Sequence, residues 1–128
     1  MKALVVDDSR AMRMVLRRIV SDIGFEVVEA ADGQQALDAL DNEVPDVALV
    51  DWNMPVMNGL EFVTTARKRQ DARKMTIMMV TTESEHTQIV RALAAGAHEY
   101  LIKPFTADAL VDKLRFLGLV PNEEAVAW

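Results

Sequence analysis

Short apolar runs alternate with stretches of helical period along the whole chain. Ala3, Leu4, Val5 and Val6 form a partly β-branched run that stops at Asp7 and Asp8, which predicts a buried strand delivering two carboxylates to a sheet edge. Ser9 then offers a helix N-cap. Met12, Val15, Leu16, Ile19, Val20 and Ile23 recur at helical spacing opposite Arg10, Arg13, Arg17 and Arg18, and Gly24 supplies the stop.

The same alternation continues. Phe25 to Ala30 reads as a second strand, Asp32-Gly33 turns the chain, and Ala36, Leu37 and Leu40 mark a short second helix closed by Asn42 and Pro45. Asp46 to Asp51 is a third strand, followed by a loop from Pro55 to Gly59 and a helix marked by Leu60, Val63 and Ala66, with Thr64, Lys68 and Arg69 on its wetter side. Gln70 to Lys74 reads as a polar connector. Thr76 to Thr81 is a fourth strand, and Ile89, Val90 and Leu93 mark a fourth helix from near Ser84 to Gly96. Glu99 to Ile102 is the fifth strand, ending on Lys103-Pro104. Leu110, Val111, Leu114 and Leu117 place the last helix, ended by Gly118 and Pro121, and the tail Asn122 to Trp128 has no evident partner.

Five strand-helix units predict an α/β domain with a parallel sheet and helices on both faces. Ligands in such folds lie beyond the carboxyl ends of the strands. At 128 residues the chain suffices for one domain with one sizeable core. The absence of cysteine rules out a disulfide scaffold and cysteine zinc sites, and a net charge of −6 argues against nucleic acid as a direct ligand. The apolar stretch at the amino terminus is too short for a signal-peptide core, and no run approaches the roughly 18 residues of a membrane helix. These features predict a soluble cytoplasmic protein that makes no contact with membrane.

Counted by strand end, the polar residues gather on one edge: Asp7 and Asp8 after strand one, Asp51 after strand three, Thr81 on strand four and Lys103 after strand five. Singly, each has a plainer reading as a turn carboxylate, a strand cap or a surface lysine. Together at the strand ends they make a site. Clustered carboxylates would raise a pKa among them unless a cation neutralises the group. The donors on offer are oxygens, from Asp8, Asp51, water held by Asp7 and carbonyls after Asp51, while neither His86 nor His98 lies near a strand's carboxyl end. Mg²⁺ therefore fits better than zinc, and Mn²⁺ could substitute. Magnesium at such a site points to phosphoryl chemistry, with Asp51 as nucleophile, Lys103 as a point charge and Thr81 as a hydrogen-bonding group.

The chain resembles a response-regulator receiver domain over about residues 1–118, most closely the single-domain chemotaxis (CheY-type) regulators. The likeness rests on Val6-Asp7-Asp8, Asp51-Trp52-Asn53-Met54-Pro55 with Asn58-Gly59, Met79-Val80-Thr81, and Tyr100 with Lys103-Pro104-Phe105. It implies a flavodoxin-like three-layer sandwich with strand order 2-1-3-4-5, of which CheY is itself a standard example, a tail at residues 119–128 and no output domain. It implies that Asp51 takes a phosphoryl group from the phosphohistidine of a sensor histidine kinase. Asp8, Asp51 and the Asn53 carbonyl would bind Mg²⁺, with Asp7 acting through water, and Thr81, rather than its neighbour Thr82, and Lys103 would contact the phosphoryl group. A cis bond at Lys103-Pro104 is also implied.

Readout is expected from a switch in which the Thr81 hydroxyl moves toward the phosphoryl group and Tyr100 turns inward. The responding face comprises helix four, strand five and helix five, including Ile89, Tyr100, Ile102, Phe105, Thr106 and Lys113. Asn53 and Glu83 resemble lifetime-tuning residues and favour a short-lived signal. His86 and Phe116 stand where lysines are expected, which loosens the link to a flagellar motor switch protein and leaves a phosphorelay or another stand-alone receiver as an alternative. The expected state is a monomer, with a dimer as the competing one. The reading from another class is a small phosphatase or phosphotransferase with Asp51 as nucleophile. Asn53 opposes it, because aspartate-nucleophile hydrolases usually place a second acid there.

Overall fold

The structure is a computed structural model that describes residues 1–120, so the tail read at Asn122 to Trp128 lies outside the described residues. The order is β1 (Lys2–Val6), α1 (Arg10–Asp22), β2 (Glu26–Ala30), α2 (Gly33–Asn42), β3 (Val47–Val50), α3 (Gly59–Arg67), β4 (Thr76–Thr81), α4 (His86–Ala95), β5 (Glu99–Ile102) and α5 (Ala107–Phe116). All strand pairs are parallel and the sheet order is β2-β1-β3-β4-β5. The fold is the flavodoxin-like sandwich expected from sequence.

The apolar runs are buried on both faces because each strand alternates between two cores. Leu4, Val6, Ala48, Val50, Ile77 and Met79 join Ala36, Leu40, Phe62 and Ala92 from α2, α3 and α4. Ala3, Val5, Val47, Leu49, Met78 and Val80 join Leu16, Val20, Leu110 and Leu114 from α1 and α5. Leu119 continues the second cluster past the positive-φ turn at Gly118, its amide donating to the Leu114 carbonyl at 2.8 Å.

Helix starts follow local chemistry. Ser9 accepts from the Met12 amide at 3.2 Å as the N-cap of α1, and Asn58 and Glu61 form a reciprocal capping box at the start of α3. Two local expectations change. Helix α4 starts at His86 rather than near Ser84, because the Glu83 amide donates to Thr81 Oγ1 at 3.3 Å and the Glu83 carbonyl accepts the Tyr100 hydroxyl at 2.6 Å, which holds that segment as loop. The polar connector contains a 3₁₀ turn, Gln70–Ala72, with Ala72 fully buried.

Arg67, at the end of α3, fastens the edge of the sheet remote from the strand ends. Its Nε and Nη2 donate to the Gly96 carbonyl at 3.0 and 2.9 Å, and its Nη1 donates to the Ala72 carbonyl at 2.9 Å. His98 Nδ1 accepts from the Ile77 amide at 3.1 Å beside Arg67 Nη2 at 3.3 Å, which requires a neutral ring. Burial, then the Arg67 charge, lowers the His98 pKa below its ordinary 6.5. Because the unfolded chain then binds the proton more readily, stability falls as pH drops below about 6.5 toward the depressed folded value. The urea midpoint should decline across that window, and His98→Gln, which keeps an acceptor, should flatten the decline.

Candidate functional site

Three of the chemistry-bearing residues sit one position past a strand end, and each keeps its amide in the ladder. The Asp7 N–H donates to Ala30 O at 3.1 Å, the Asp51 N–H to Val6 O at 2.9 Å and the Lys103 N–H to Thr81 O at 2.9 Å. Since Val6 pairs with Val50 across β1 and β3, Asp7 and Asp51 emerge at one level of the sheet. Backbone hydrogen bonding therefore positions the side chains.

Asp7 is 1% exposed, with Oδ1 accepting the Ser9 amide at 2.8 Å and Oδ2 accepting Lys103 Nζ at 2.7 Å. Lys103 Nζ also stands 3.5 Å from Asp51 Oδ2. Asp51 Oδ1 accepts the Trp52 amide at 2.7 Å. One carboxylate oxygen from each of Asp7, Asp8 and Asp51 lies within 4.8 Å of the others. Burial raises the Asp51 pKa, and the neighbouring Asp7 charge adds to that, against the Thr81 hydroxyl, the Lys103 charge and the Trp52 amide.

Three carboxylates against one lysine leave an excess of hard oxygen donors, a set that suits a small divalent cation such as Mg²⁺. Thr81 is fully buried at the end of β4, whereas its rival Thr82 is exposed. The Lys103-Pro104 peptide is cis. Asn53 Nδ2 donates to Glu83 Oε1 at 2.5 Å, so the two residues that resemble lifetime-tuning residues are joined by a hydrogen bond. Tyr100 is buried. Of the face residues, Ile102 is 40% exposed, Ile89 and Phe105 pack on the two cores, Thr106 caps α5 through the Ala109 amide, and Lys113 pairs with Glu99 at 3.1 Å.

A family model described as "Response regulator receiver domain" matches residues 3–115. The chain belongs to that family. The family is one of signalling proteins, and receiver domains bind Mg²⁺ at an acidic pocket of the kind seen here. The chain is 45% identical over 128 residues to the chemotaxis protein CheY homolog of Campylobacter jejuni, with 98% of each chain covered. It is similar in structure to chemotaxis protein CheY4 of Vibrio cholerae, with a TM-score of 0.85, 38% identity and coverage of 90% of this chain and 96% of that one. It also resembles the receiver domain of the sensor histidine kinase PA1611 of Pseudomonas aeruginosa, solved with a magnesium ion in its active-site cleft, at TM-score 0.83, 27% identity and coverage of 91% and 97%. Among the described residues no helix of this receiver domain is long and apolar enough to cross a membrane.

Two features around the site carry no signal in the sequence. Arg13, assigned to the solvated side of the first helix, instead donates to the Asp7 carbonyl and to Glu29. Val56, in the loop after Asp51, has φ 68° and is 81% exposed. A β-branched residue in the left-handed region costs about 1–2 kcal/mol. Val56→Asn should therefore raise the unfolding free energy by about 1 kcal/mol, read from the urea midpoint.

Proposed function

We propose that Asp51 is the phosphoacceptor of a two-component signalling pathway and that its phosphorylation changes which partner the domain binds. The convergence of Asp7, Asp8 and Asp51 on Lys103 carries this reading. Asp51 Oδ2 attacks the phosphorus of a kinase phosphohistidine, the nitrogen–phosphorus bond breaks, and the aspartyl phosphate forms. Lys103 leaves part of its contact with Asp7 to pair with a phosphoryl oxygen, and the Thr81 hydroxyl donates to another. Asp8, Asp51 and the Asn53 carbonyl would hold Mg²⁺, with Asp7 acting through water. Bound there, the ion neutralises charge developing on the phosphoryl oxygens.

The switch runs through Glu83, whose amide meets Thr81 and whose carbonyl meets Tyr100. Tyr100 already stands inward, so phosphorylation biases a position the chain adopts rather than creating one. The face of α4, β5 and α5, with Ile89, Ile102, Phe105, Thr106 and Lys113, reads out the change. The names of the relatives favour chemotaxis over a phosphorelay, with a sensor histidine kinase upstream and a flagellar motor switch protein as one downstream target. The paired Asn53 and Glu83 side chains cover the approach of water and set the lifetime. The receiver domain takes in residues 1–118 together with Leu119, which packs in its core, works in the cytoplasm as a monomer, and turns over no substrate besides its own phosphoryl group.

Incubation with Mg²⁺ and a small phosphodonor should add one acid-stable, base-labile phosphoryl group per chain by intact mass. Steady multiple turnover of a phosphomonoester would replace this reading with the phosphatase. Beryllofluoride-treated and untreated protein should recover different partners in a pull-down, and equal recovery would refute the proposed face.

A further inference from the structure

Arg13 lies outside the acidic pocket, yet its side chain is only 16% exposed and its guanidinium is committed to two partners. Nη1 donates to the Asp7 carbonyl at 2.7 Å, and Nε donates to Glu29 Oε1 at 3.1 Å. Glu29 is anchored in turn by Arg17 Nη1 at 2.6 Å, and Arg17 and then Arg13 hold its carboxyl below the usual range. Glu29 belongs to β2, directly opposite Val5, and the next residue, Ala30, accepts the Asp7 amide. The backbone of Asp7 is therefore gripped on both sides from one strand, its N–H by Ala30 and its carbonyl by an arginine that Glu29 aims.

That grip falls where the chain must leave β1 and enter α1 within three residues. The Asp7–Asp8 peptide plane decides the directions of two successive carboxylates, and both must face the same point to share a cation. We propose that Arg13 is a positioning residue for the divalent-cation pocket, acting through the Asp7 carbonyl. This assignment rests on reading Asp7, Asp8 and Asp51 as the Mg²⁺ site. Outer residues that orient metal ligands typically contribute about 10–100-fold in affinity.

The test is calorimetric titration of Mg²⁺ into the full chain, with thermal unfolding recorded for each variant. Arg13→Ala should weaken Mg²⁺ binding by about tenfold. Arg13→Lys should recover part of that loss, because an ammonium can reach the carbonyl but cannot serve Glu29 at the same time as a planar fork does. Arg17→Ala loosens the anchor on Glu29 without touching Asp7, and should weaken Mg²⁺ binding by less than Arg13→Ala does, by about twofold. Should Arg13→Ala fail to fold, Arg13→Lys carries the comparison with Arg17→Ala. Equal Mg²⁺ affinity in the parent and both Arg13 variants, or an equal loss in Arg17→Ala, would overturn the assignment while leaving the metal site intact. A parent chain that binds no Mg²⁺ would instead overturn the metal site itself, and the role of Arg13 with it.

Discussion

Asp51→Asn is expected to abolish phosphoryl labelling while making the metal-free protein more stable. The loss is complete because the amide offers no nucleophilic oxygen, and neither Asp7 nor Asp8 is placed to substitute. Both oxygens of Asp7 are occupied, by the Ser9 amide and by Lys103, and Asp8 is exposed at the rim. The gain in stability comes from the same geometry. With its pKa raised by burial and by Asp7, Asp51 imposes no penalty below its unfolded value of 3.8; the penalty grows as pH rises from there toward the raised folded value and is full above it. The asparagine carries no charge to desolvate and can keep the bond from the Trp52 amide. A gain of about 1 kcal/mol is in the range seen when active sites are relieved of charge strain, and corresponds to roughly 4 °C in thermal midpoint. Intact mass after treatment with a phosphodonor and a melting curve without Mg²⁺ check the two halves separately. Persistent labelling would place the acceptor elsewhere, and a lower midpoint would mean that Lys103 already compensates for the buried charge.

The parts of this molecule that were legible in its sequence are those set by residues close together in the chain. Runs such as Val47 to Val50 announce themselves because parallel strands are buried on both faces, and Ser9 announces a helix because its cap bonds lie within three residues. The site was legible for a related reason. When every strand runs the same way, the residue after each strand must emerge on one edge, so Asp7, Asp51 and Lys103 could be gathered before their distances were known. What escaped depends on partners remote in sequence. The start of α4 is decided by Tyr100, which takes the Glu83 carbonyl from 17 residues away. Arg13 looks like any cation on a wet helix face until Glu29 and the Asp7 carbonyl are beside it. Val56 gave no signal because its side chain disfavours the conformation it adopts.

Gly59→Ala should be the most damaging substitution outside the chemistry. A methyl group there would lie 2.0 Å from the Asp51 carbonyl oxygen, 2.9 Å from the Asp51 carbonyl carbon and 3.1 Å from Trp52 Cα. All three are backbone atoms at the end of β3, so no rotamer change can make room. The Gly59 amide also donates to the Trp52 carbonyl at 2.8 Å, and the capping box at Asn58 holds the start of α3 on the other side. Either α3 or the end of β3 must move. The expected cost is about 3 kcal/mol, the upper part of the range for overpacking, read as a lower urea midpoint. Phosphoryl labelling should slow by about 100-fold in whatever fraction folds, since a displacement near 1 Å at the acceptor is enough for that. Gly118→Ala supplies the contrast. A methyl group at Gly118 meets nothing within 4 Å, and only its φ of 77° opposes the change, so about 1 kcal/mol should be lost with labelling unaffected. If both variants lost stability equally and labelled normally, the tight seat of α3 on Asp51 would have no role in the chemistry. If only Gly59→Ala lost labelling, the acceptor's position would depend on a close contact between main chains.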